Sequence, residues 1–322
     1  MRITVRSCSR VHLGLLDLNG SLGRVDGGVG IALDEPHVEV VAEPAEGLDV
    51  HITVPLDRVE RDGIERRMRH AALSVGVQDA ALTLTSAYSQ HIGLGCGTQV
   101  ALCTAAALCK LHEKTLPAQR LGEMVGRGGT SGIGVAAFEH GGFIVDGGHL
   151  FSQKKAFTPS SASHVPPPPI IARYDFPDWD MVLAIPELKG ASDVREVDIF
   201  ARYCPIDGGE VARACRLVLM KMMPAVLEED LDAFGEALNM LQRVGFKRLE
   251  VALQPERIRE LMEIMLESGA VGAGMSSFGP TIVGVCEDGK QVKREVERKL
   301  SEVGGSVVLT QARNMGAAIT EH

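Results

Sequence analysis

A glycine-rich turn followed at once by a run that is apolar on almost every side constrains this chain more than any other feature. Residues 93–112 read GLGCGTQVALCTAAALCKLH. A helix with no polar face has to be buried on all sides. The run therefore predicts a central helix, entered from the alternating strand ALTLTSA at 81–87. Lys110 and His112 close to its end suit the negative pole of a helix dipole. At its start Gly93, Gly95 and Gly97 permit positive φ and a close approach of the backbone to a ligand, beside N–H groups that the helix leaves unpaired. Together with Cys96 and Thr98 these make an anion cradle, or alternatively a tight strand-to-helix turn.

Two more glycine-rich stretches follow, GGTSGIGVAAFEHGGFIVDGG at 128–148 and GAVGAGMSSFGPTIVGV at 269–285. A dinucleotide fingerprint is not met at the first stretch, because Thr98 stands at the third glycine position. GIGVAA at 132–137 fits G-x-G-x-x-A, but no strand precedes it, and the chain has no Walker A lysine motif. The third stretch places a glycine loop before a strand, from where it could close over a ligand held by the first.

Alternation predicts strands at 2–6, 37–42, 48–54, 179–186, 281–287 and over SVVLTQA near the end. Helices are predicted over 59–74, 117–125, 208–222, 230–243, 255–268 and 289–303. Residues 152–169, SQKKAFTPSSASHVPPPP, end in consecutive prolines and are expected to be an extended connector between a unit at 1–160 and another at 170–322. Strands mixed with helices without strict alternation point to two α+β domains. The net charge of −9 argues against nucleic acid as a partner. The seven scattered cysteines, with no CxxC pair, are expected to be reduced and mostly buried, as in a cytoplasmic protein. No apolar run is long enough to span a bilayer, and the N-terminus does not read as a signal peptide.

SRVHLG at 9–14, GLGCGT at 93–98 and the 269–285 stretch resemble, in order and spacing, the three motifs of the GHMP kinase superfamily. The resemblance implies a ribosomal-S5-like N-terminal domain, a ferredoxin-like C-terminal domain and an active site in the cleft between them. Two departures stand out. Cys96 and Gly97 replace the serines of the kinase motif, and SGIG puts Gly134 where many of the kinases carry an aspartate that pairs with the substrate hydroxyl. Glycine cannot assist deprotonation, a contribution of about 10²–10⁴ in rate. One branch of the superfamily has these departures as its signature. Residues 9–36, 93–102 and 127–149 closely resemble the β-ribofuranosylaminobenzene 5′-phosphate synthases of methanopterin biosynthesis. That branch joins phosphoribosyl pyrophosphate to p-aminobenzoate or a close analogue such as p-hydroxybenzoate, releasing pyrophosphate and carbon dioxide. Such chemistry deprotonates no hydroxyl.

The resemblance also implies Mg²⁺ and a homodimer. Asp17 and Asp26, flanking a glycine-rich turn, are the candidates for Mg²⁺, or alternatively turn or capping residues. Gly129, Thr130, Ser131 and Gly132 are candidates for a second phosphate site. Arg10 and Arg24 could each hold a carboxylate or phosphate, with a salt bridge as the other reading of Arg24. His12 stands where the kinases have a substrate-contacting asparagine, and His91, Glu139 and His140 stand beside the glycine loops, with structural hydrogen bonding as the alternative for each histidine. An ATP-dependent kinase with another base, such as Glu139, and a non-catalytic ligand sensor are the competing functional readings.

Overall fold

The apolar run folds as the helix Cys96–Leu111, with most of its length buried and Gly95 in left-handed geometry ahead of it. The computed structural model describes residues 1–160, 162–188 and 193–322; residue 161, inside the expected connector, lies outside them. Packed around the central helix are the helices Arg58–Val75 and Ile133–His140 and one sheet. The strands of that sheet run in the order Ala318–Glu321, Ile3–Arg6, Glu39–Glu43, Ala80–Ser86, Leu48–Ile52. Only its last pair is parallel.

A second sheet carries the site. Its order is Ser9–Asp17, Arg24–Leu33, Phe143–Asp146, Ile170–Tyr174, beginning with a long antiparallel hairpin. Almost every residue of Arg24–Leu33 is buried, so this strand shows no alternation in the sequence. The third sheet orders Gly272–Met275, Ile282–Cys286, Asp180–Pro186 and Gly305–Thr310, all antiparallel, which is the ferredoxin-like arrangement. The helices Glu256–Glu267 and Gly289–Ser301 pack on it.

The structure redraws the expected boundary in two places. Ile170–Tyr174 pairs with Phe143–Asp146, so the first unit continues past the prolines. The C-terminal strand Ala318–Glu321 returns to pair with Ile3–Arg6, stitching the chain end into the first sheet. The connector is extended, as its prolines require, but it is strapped down. A Cβ on Gly128 would lie 2.7 Å from Pro167, and one on Gly132 would lie 2.9 Å from Pro168. The prolines therefore roof the second glycine loop. Further differences are the helices Asp193–Tyr203 and Gly245–Ala252, which lack a signal in the sequence reading, and a π turn at Val218–Met222 where a continuous helix was expected. Among the described residues no helix is long and apolar enough to cross a membrane.

Candidate active site

The three glycine-rich segments meet at one cleft of about 770 Å³. Gly93 and Gly95 hold φ of 90° and 85°, which turns the chain into the central helix. The third loop docks on them. Ser276 Oγ donates to Gly93 O at 2.7 Å and accepts from His12 N at 3.0 Å, and Ser277 N donates to His12 O at 2.8 Å. Both units and the first strand of the hairpin are locked together at this point. A side chain on Gly93 would meet Ser276 O at 2.5 Å, so only glycine allows the approach.

Guanidinium groups flank the cradle. Arg10 donates to Gly93 O and lies against Gly95, while a Cβ on Gly97 would sit 2.9 Å from the guanidinium carbon of Arg67. Arg66, His70 and Arg127 line the same cleft. Positive charge is thus concentrated at the helix start, although the whole chain is acidic. Thr98 and His91 line the cleft beside it. Burial pushes the Cys96 thiol up to about 12, so it stays protonated and is no nucleophile. Across the cleft Leu15, Phe200 and Phe278 form an apolar wall.

His12 is 5% exposed. Among the described residues neither of its ring nitrogens has a hydrogen-bond partner. Burial first, then Arg10 and Lys247, hold it well below the ordinary histidine range, so the ring is neutral. Beneath it Lys247 donates to Met275 O at 3.2 Å and Ser277 O at 3.0 Å and pairs with the buried Glu250, which also lines the cleft. At Gly134, where the kinases carry an aspartate, a Cβ would lie 3.2 Å from Thr98 Cγ2. A side chain at this position would press on Thr98.

The second glycine loop does not form the phosphate cradle expected of it. Gly132 N donates to Asp146 Oδ2 at 2.9 Å, and Ser131 Oγ donates to the same oxygen at 3.3 Å. A carboxylate already caps this helix start and repels another anion. Thr130 Oγ1 donates to Thr158 O at 2.7 Å, and Gly129 O accepts from Ser163 Oγ. Thr130 and Ser131 still line the cleft, and Ser131 Oγ also accepts from Ile133 N at 3.3 Å.

Seven candidates fall outside the cleft lining, Gly129 and Gly132 of the second loop among them. Asp17 Oδ1 accepts from Asn19 N at 2.7 Å and Gly20 N at 3.1 Å, the turn role that was its alternative. Asp26 is 1% exposed. Its oxygens accept from Lys154 Nζ at 2.8 and 2.7 Å, and its Oδ2 meets His149 Nδ1 at 2.6 Å. Arg24 spends its donors on the carbonyls of Gly147 and Gly148. Glu139 and His140 end their helix facing each other, Nε2 to Oε2 at 3.7 Å. The expected Mg²⁺ ligands are therefore committed elsewhere, and the described residues contain no group of three or more His, Cys, Asp or Glu able to hold a metal ion. Arg66, Arg67 and His70 were missed, although RRMRH at 66–70 puts three cationic or polar side chains on one helix face.

Known proteins match the chain along its length. The family model for the N-terminal domain of GHMP kinases matches residues 63–142, and that for the C-terminal domain matches 222–304. A protein of Archaeoglobus fulgidus named β-ribofuranosylphenol 5′-phosphate synthase is 44% identical, over 98% of this chain and 99% of that one. A protein of the same name from Methanothermobacter thermautotrophicus is also 44% identical, over 98% of each chain. Among solved structures, a Leishmania major mevalonate kinase superimposes with a TM-score of 0.72 at 14% identity, covering 97% of this chain and 96% of its own. A homoserine kinase from Cytophaga hutchinsonii gives 0.69 at 15%, covering 99% and 97%. At such identities the kinases share the fold alone.

Proposed function

The chain belongs to the β-ribofuranosylphenol 5′-phosphate synthases, an enzyme family on the GHMP kinase fold, and from that premise we propose a decarboxylating transfer of phosphoribose to an aromatic acid. The donor is phosphoribosyl pyrophosphate. The acceptor is p-hydroxybenzoate or p-aminobenzoate, and the phenol in the relatives' name favours the hydroxy acid. One observation carries the reading at the level of the site: the cleft offers cationic and backbone donors at the first glycine loop, while Gly134 brings no acid to it.

The ring carbon bearing the carboxylate attacks ribose C1 as the bond to pyrophosphate breaks. The dearomatised adduct then expels carbon dioxide, and the electron pair of that bond restores the ring. Atoms balance with pyrophosphate leaving as its tetra-anion, which takes its proton from solvent, so no protein base is required. The N–H groups after Gly95 and the guanidiniums of Arg10 and Arg67 bind the departing pyrophosphate, where loss of one such donor typically costs about 10²–10³ in rate. Leu15, Phe200 and Phe278 shelter the ring from water. Mg²⁺ belongs to the proposal only as a companion of the diphosphate, because Asp17 and Asp26 do not fit as its ligands. A cytoplasmic homodimer acting in methanopterin biosynthesis is the setting that the family resemblance supports.

The test mixes protein, Mg²⁺, phosphoribosyl pyrophosphate and carboxyl-labelled aromatic acid without ATP. Equal release of carbon dioxide and pyrophosphate is expected. No release with either acid from folded protein would overturn the reading and reopen the kinase alternative.

A further inference from the structure

Three polar atoms close over the Cα of Gly28. A Cβ there would lie 2.8 Å from Asp146 Oδ2, 2.9 Å from Ser131 Oγ and 3.0 Å from His12 Nε2. Glycine is what allows them to converge. Two of the three side chains, His12 and Ser131, line the cleft. The carboxylate is pinned from behind by Gly132 N at 2.9 Å and Gly148 N at 3.0 Å. The imidazole is the odd member: buried, neutral, and without a partner for either ring nitrogen among the described residues. A buried polar group without a partner is costly and calls for one that arrives from outside the chain.

The character of that partner follows from the charges. Asp146 beside Ser131 excludes phosphate and carboxylate, so none of the substrates' anionic groups can settle here. A neutral imidazole offers one N–H and one lone pair, and Ser131 Oγ, which donates to Asp146 Oδ2 and accepts from Ile133 N, keeps one lone pair to accept with. We propose that His12 Nε2 and Ser131 Oγ form a docking point for a neutral hydroxyl of a substrate. The inference rests on the proposed reaction, whose reactants carry such a hydroxyl in two places, the para position of the aromatic acid and the ribose diol. His12 and Ser131 act here as orienting groups, and the docked hydroxyl completes their hydrogen bonding.

Binding cycles between ligand and residue test this without requiring turnover. Calorimetry on the full chain compares p-hydroxybenzoate with benzoate, and ribose 5-phosphate with its 2-deoxy and 3-deoxy counterparts. Each is measured on the parent, His12→Phe and Ser131→Ala, with His12→Gln as the conservative replacement. In the parent one hydroxyl-bearing ligand binds about 10-fold more tightly than its deoxy partner. That ratio falls to near one in His12→Phe and in Ser131→Ala and is partly restored in His12→Gln. Loss confined to the aromatic pair assigns the para hydroxyl; loss confined to a sugar pair assigns the ribose. Parent protein that turns over normally, with ratios unchanged in both variants, overturns the inference alone. Parent protein that binds none of the ligands overturns it together with the proposed reaction.

Discussion

Replacing Asp26 with asparagine separates two readings of one residue. In the sequence Asp26 is a candidate Mg²⁺ ligand; in the structure it is the counter-ion of a buried lysine. Both its oxygens lie within 2.8 Å of Lys154 Nζ, and the Lys154 side chain is 1% exposed. Burial pulls the lysine below its ordinary range while Asp26 pushes it back up, so the carboxylate is what keeps the ammonium charged. Removing one partner of such a pair strands a charge and costs about 3–5 kcal/mol. At about 2–4 °C per kcal/mol, the Tm of Asp26→Asn should fall by roughly 10 °C. The double variant with Lys154→Met should recover at least half of that loss, since it removes both charges together. Thermal unfolding followed by circular dichroism reads both numbers. A single variant that melts with the parent, yet needs far more Mg²⁺ for activity, would refute the ion-pair account and return Asp26 to the metal.

Asp146 gives a pH signature. Burial raises its carboxyl from 3.8 to about 6, so the folded state favours the protonated form. Its contribution is most favourable below pH 3.8 and is lost as pH rises through about 6, by roughly 3 kcal/mol. The stability difference between parent and Asp146→Asn, taken from urea curves across that window, should change accordingly; a flat difference would contradict it. Arg67→Ala should raise the KM for phosphoribosyl pyrophosphate by about 10-fold or more while the KM for the aromatic acid stays put. Equal effects on both constants would remove Arg67 from the phosphate side. Gly134→Asp should gain no phosphotransfer from ATP and should lower stability by about 1–3 kcal/mol, because the new side chain presses on Thr98. Measurable ATP turnover in that variant would show that room for a base exists.

Much of the architecture was legible because its elements follow local rules. Arg58–Val75, Glu256–Glu267 and Gly289–Ser301 appear within a residue or two of their predicted limits, and Cys96–Leu111 begins three residues before the apolar run itself. The hairpin Ser9–Asp17 and Arg24–Leu33 escaped, since strands buried on both faces lose the period-two pattern. Membership of Ile170–Tyr174 and Ala318–Glu321 in the first unit depends on pairing over long separations, which no window of sequence reports. Of the candidates, Arg10 and His12, named from the first motif, and His91 with the first glycine loop, named from the glycines that let backbone come close, all line the cleft. The second loop misled for the same reason. Its glycines make room for Pro167, Pro168 and Ser163 instead of a phosphate. Asp17, Asp26 and Arg24 are the usual price of reading polarity without partners, because a buried pair and a ligand site look alike until the third dimension supplies Lys154, His149 and the carbonyls of Gly147 and Gly148.

On the proposed reading, what distinguishes this chain from the kinases sharing its fold is the bond it makes. The most direct measurement is carbon NMR of the product formed from ¹³C1-labelled phosphoribosyl pyrophosphate and an aromatic acid labelled at the ring carbon that bears the carboxylate. A one-bond carbon–carbon coupling between ribose C1 and that ring carbon, with no ATP present, is the predicted result. A product in which the ribose carbon is joined to oxygen or nitrogen, or one that forms only with ATP, would contradict the account.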